Sequence, residues 1–88
     1  MTGFLGQVPE EVHALGSEFE TKAGEVETLI AAINTRLQNT TWRGTDRDNF
    51  EGTWSGEMTN NLTQLAQALR ETGTIANNNA DQQTTASS

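Results

Sequence analysis

The 88-residue chain has no cysteine and no tyrosine, one histidine, one proline and five basic residues. Each shortage closes a class of explanation. Without cysteine there is no disulfide staple, and a lone histidine cannot assemble the usual zinc clusters of imidazole and thiolate ligands. Five Lys and Arg against twelve Asp and Glu leave a formal net charge of −7. That balance argues against nucleic acid, whose phosphates call for a cationic surface. It also argues against electrostatic docking on anionic lipid, so direct membrane binding is not expected. No apolar run approaches the roughly 20 residues that span a bilayer. The start, Met1 to Gly6, lacks the basic region and apolar core of a cleavable signal peptide. A cytoplasmic protein, or one exported by a route that reads the folded form, fits these absences.

Apolar residues are also scarce, at 33 % of the chain with 6 % aromatic. A single small domain of that composition builds only a thin core. Association completes such cores, so partner helices are expected.

What is present is helical periodicity, broken once. Residues 1–8 form a flexible lead whose Phe4 and Leu5 either fold back on a helix end or stay loose. Pro9 suits a first helical turn, and Glu10 and Glu11 suit the positive end of a helix dipole. From there Val12, Leu15, Phe19, Ala23, Val26, Ile30, Ile33 and Leu37 recur at steps of three and four. Val12, Phe19, Val26 and Ile33 are seven apart, as in a coiled-coil seam. The pattern predicts a helix over 9–39. Gly16 and Gly24 weaken it; they either admit another helix closely or lie outside.

The periodicity stops at Thr40-Thr41-Trp42-Arg43-Gly44-Thr45. Gly44 offers a positive-φ position for a reversal, and Thr45 a hydroxyl N-cap with Asp48 three residues on. The stretch 40–45 therefore reads as the bend of a helical hairpin. Phe50, Trp54, Met58, Leu62 (or Asn61), Leu65, Leu69, Thr72 and Ile75 (or Ala76) then form a second stripe, predicting a helix over 46–76. Gly52 and Gly56, four apart, predict a close crossing near the bend. Residues 77–88 hold no large apolar side chain to offset ordering entropy and are expected to be a disordered tail. The fold class is all-α, a helix-turn-helix hairpin.

Candidate chemistry is thin. His13 follows Glu10 by three residues on one helix face, but no other histidine or cysteine completes a metal site. Asp46 and Asp48 are explained by the dipole at a helix start. No hydrolase triad order, phosphate loop or dinucleotide turn occurs, so neither catalysis nor a cofactor is expected. Trp42 and Trp54 read as core aromatics near the bend, or as a binding surface at a hairpin tip, where tryptophan is often a hot spot.

Two helices of similar length joined by Trp42-Arg43-Gly44, followed by Phe50 and Trp54 in an acidic chain without cysteine, resemble the WXG family. These are the early secretory antigenic target-like (ESAT-like) proteins exported by type VII (ESX) secretion systems of mycobacteria, other actinobacteria and Gram-positive bacteria. The resemblance covers residues 9–76. It implies a hairpin that pairs with a second WXG-family hairpin into an antiparallel four-helix bundle, with Val12, Leu15, Phe19, Val26, Ile30, Ile33, Leu37, Met58, Leu62, Leu65 and Leu69 in the dimer core or interface. It implies secretion of the folded dimer to the extracellular space without a signal peptide, driven by a membrane-bound ATPase. The family's export signal is composite: the turn, here Trp42 and Gly44 with Phe50 and Trp54 in support, lies beside a partner's tail. That tail carries a tyrosine followed four residues later by an acid. Here Asp81 could stand at the acidic place, but Asn77 holds the tyrosine's. The resemblance then implies a heterodimer in which the partner brings the tyrosine tail and meets the ATPase. A membrane-active secreted effector and a cytoplasmic helical adaptor are the other functions weighed; acidic faces disfavour the first.

Overall fold

The computed structural model describes residues 6–87. Helix α1 spans Pro9–Gln38 and α2 spans Thr45–Thr53. A π-helical turn over Trp54–Met58 then runs into α3, Thr59–Ser87. The second arm folds back on the first to make an all-α hairpin, 66 Å long and 19 by 14 Å across. Phe4 and Leu5 lie outside the described residues.

Pro9 occupies the first turn of α1 with Glu10 and Glu11 beside it, and Arg36 stands in the last turn, each matching the dipole. The helix ends one residue earlier than the periodicity predicts. There the Thr40 hydroxyl donates to the Arg36 carbonyl at 2.6 Å, and the Asn39 and Thr40 amides donate to Thr35 and Leu37. Gly44 turns the chain with φ 112° and serves as the N-cap of α2. Thr45 is therefore the first helical residue rather than the cap, and no side chain caps this helix.

At the open end and middle of the hairpin, the line of contact between the arms is made of small residues rather than the large side chains of the stripe. Gly16 and Ala23 of α1, seven apart, meet Ala66, Gly73 and Ala80 of α3, again seven apart, and all five are buried. Small side chains let the backbones approach. A Cβ placed on Gly73 would stand 2.8 Å from the Gly16 carbonyl oxygen, and one on Gly16 would meet the Asn77 amide. The close crossing expected at Gly52 and Gly56 does not occur, since neither has a neighbour within 4 Å of that position, and Gly24 has none either. The crossing sits near the open end, where both arms offer glycine.

Trp54 joins this seam, buried to 9 % exposure, because of the π turn. At about 100° per residue an unbroken α-helix would place Trp54 a quarter-turn away from Gly73's line. The π turn takes up one extra residue and rotates the indole into line. Its Nε1–H donates to Asn34 Oδ1 at 2.6 Å, and the Trp54 carbonyl accepts from the Thr59 hydroxyl at 2.6 Å as well as from the Thr59 amide.

Residues 77–88, expected to be disordered, are helical as far as Ser87. Extending an existing helix costs little per residue, and no proline or glycine interrupts this stretch. Ala80, fully buried, continues the seam. His13 holds the other side, its Nδ1 3.0 Å from Asn77 Oδ1 and its Nε2 3.0 Å from Asp81 Oδ1.

The two faces beside the seam differ. One is polar and is bridged by Arg70, whose guanidinium donates two bonds to Glu27, at 2.6 and 2.8 Å, and lies 3.9 Å from Glu20. The hydrogen bond from Arg70 holds the Glu27 carboxyl below its ordinary range, partial desolvation opposing. A carboxylate so lowered stabilises the fold above its unfolded pKa and loses that contribution as pH falls through the folded value. Arg70→Gln is therefore expected to lower the melting temperature at pH 7, with the gap to wild type narrowing as pH falls below the usual carboxylate range and in high salt. Parallel thermal melts check this.

Candidate functional site

The opposite face carries the large apolar side chains. On α1, Val12, Phe19, Val26, Ile30 and Leu37 are half-buried along the seam's edge, while Leu15, Leu29 and Ile33 stand further out and are exposed. On α3, Leu62 and Leu69 are half-buried and Leu65 is exposed, with Met58 exposed at the π turn. Helical phase puts these, apart from Ile30 and Leu37 on the seam's own row, on one side of the hairpin, away from Arg70, Glu27 and His13. Ile30 and Leu37 continue the row of Gly16 and Ala23 toward the bend, and Phe19 reaches Gly73 across the seam; the others are its flank. Leu29 belongs to the set and is missed by the three-four stripe, because it lies a step outside it. Ile75 points to the outer side of α3, leaving Ala76 as the stripe's last member.

The turn continues this face. Trp42 keeps 37 % of its surface exposed and leans on Phe50, ring centroids 5.3 Å apart with planes tilted by 50°. Ile33, Arg36, Leu37 and Thr40 join these rings around an open hollow of about 250 Å³. Arg47 pairs with Glu51 along α2 behind the hollow. The four aromatic and glycine positions of the turn thus divide. Gly44 sets the reversal, and Trp42 and Phe50 make an accessible apolar tip. Trp54 goes the other way, into the seam against Asn34.

Among the described residues no group of three or more His, Cys, Asp or Glu side chains could hold a metal ion. No described helix is long and apolar enough to cross a membrane. The site's geometry is that of a contact surface, an apolar strip from Val12 to the aromatic tip, crossed by Lys22 between Leu15 and Leu29 and bordered by Arg36 at the tip.

Compared with family models, with curated proteins and with solved structures, the chain finds no match. Fold and site together define an all-α hairpin with one open apolar face.

Proposed function

We propose that the protein is a non-enzymatic substrate of a type VII secretion system, one half of a folded dimer whose other half is a second WXG-family hairpin. The observation that supports this best is the division of apolar residues. Ala and Gly close the middle and open end of the hairpin, and Leu15, Leu29, Ile33, Leu65 and the turn rings stand exposed on one side beside half-buried neighbours. Burying such a strip against a second hairpin completes a four-helix core, at roughly 25 cal/mol per Å² of apolar surface. Exposed apolar area of this extent is characteristic of interaction sites.

The tip gives the second part of the reading. Trp42 and Phe50 are rigid, accessible and continuous with the pairing face, where a partner's tail would lie in an antiparallel bundle. This chain's own tail is engaged elsewhere, since Asn77 and Asp81 both contact His13. The tail signal, and with it the contact to the membrane-bound ATPase, is assigned to the partner, and the pair's destination is extracellular. Co-expression with the product of an adjacent small gene is expected to give a 1:1 complex that co-purifies and melts at higher temperature than either chain. Two chains that elute apart and melt independently would refute the pairing.

A further inference from the structure

Resting on the reading of the apolar strip as a pairing face, we infer that its partner is a hairpin with lysine or arginine flanking its own apolar stripe, and that a second copy of this chain is disfavoured. The argument is the charge along the strip's edges. Glu11, Glu18 and Glu25 stand four residues before Leu15, Lys22 and Leu29, so they form an exposed row seven apart along the strip's outer edge. In paired helices such flanking positions choose the partner through charge. Lys22 is the one cation among them. It lies 3.4 Å from Glu18 and 3.2 Å from Glu25, which raise its pKa, and it leaves the row acidic.

A second copy has only Lys22, already held by Glu18 and Glu25, and Arg36 at the bend to set against that row. The far edge of the strip on α3 carries Asn61, Ala68, Thr72 and Asn79, none charged. Arg70 sits on the other face with Glu27. Arg36, Arg43 and Arg47 gather at the turn, but Asp46, Asp48, Glu51 and Glu57 outnumber them there. Self-pairing also joins two molecules of net charge −7 each, which slows encounter and weakens the pair at low salt. The hairpin side that carries the strip, 66 Å long and 19 Å wide at its outer limits, has room for the roughly 800 Å² per partner of a standard interface.

The test uses the full chain and a charge-reversed variant, Glu11→Lys with Glu18→Lys and Glu25→Lys, in sedimentation equilibrium alone and mixed. At low salt the mixture is expected to form a 1:1 pair about tenfold tighter than the wild-type chain with itself, with the advantage lost in high salt. A neutral variant, Glu11→Gln with Glu18→Gln and Glu25→Gln, is expected to self-associate more tightly than wild type, independently of any mixing. A wild-type self-pair as tight as the mixed pair and indifferent to salt would overturn the inference and make a second copy the occupant. Absence of any association, in all mixtures and salts, would overturn the pairing reading itself.

Discussion

Gly73→Val is expected to break the hairpin. The first added carbon would meet the Gly16 carbonyl oxygen at 2.8 Å and the Phe19 Cβ at 3.2 Å. A backbone oxygen in a hydrogen-bonded helix cannot swing aside, so the arms must part. Overpacking of this kind costs about 3 kcal/mol, and valine's two γ-methyls enlarge the clash. For a chain of this size that corresponds to a fall in melting temperature on the order of 15 °C. The control is Gly24→Ala, where nothing lies within 4 Å of the new carbon. There the helix-propensity gain of about 1 kcal/mol acts alone, and the melting temperature is expected to rise. Opposite signs at two glycines of one hairpin would locate the seam. A harmless Gly73→Val would place it elsewhere.

Trp42→Ala is expected to leave a folded, paired protein that is no longer exported. With 37 % of its surface exposed and its ring on Phe50 rather than on the seam, Trp42 contributes less to stability than a buried indole. Loss of the ring contact accounts for about 0.5–1.5 kcal/mol beyond area burial, a shift of a few degrees in melting. Trp54→Ala is the contrast: that indole is buried and bonded to Asn34, and its truncation should cost about 3–5 kcal/mol. The prediction for Trp42 is thus a severe drop in culture supernatant beside a modest loss of melting temperature. Secretion that persists in a folded Trp42→Ala pair would assign Trp42 to structure alone.

These two substitutions also mark what the sequence discloses. The arms and the bend are legible because their determinants are local: Pro9 starts a helix, Gly44 permits φ 112°, and three-four spacing marks a helical face. The seam is harder to read. Hydrophobic periodicity weights Val12, Phe19, Val26 and Ile33 by size, whereas close packing of two backbones selects for the absence of size at Gly16, Ala23, Ala66, Gly73 and Ala80. The seven-residue recurrence of those small residues is the signal that was there to find. The π turn has no such signature, since an i to i+5 turn needs no special residue. It shows only in where Trp54 ends up. The helix beyond residue 76 depends on contacts 64 or more residues away in sequence, His13 to Asn77 among them, which no local window contains. In the site, the apolar strip was legible as a set, and its separation from the hairpin's own seam was not.

The most direct measurement of the proposed function is the amount of this chain in culture supernatant from cells carrying its partner, with the secretion ATPase intact and inactivated. The account predicts that the chain appears outside the cell together with its partner when the ATPase is intact, and stays inside, still folded and paired, when it is not. Equal amounts in both supernatants, or retention in both, would contradict it.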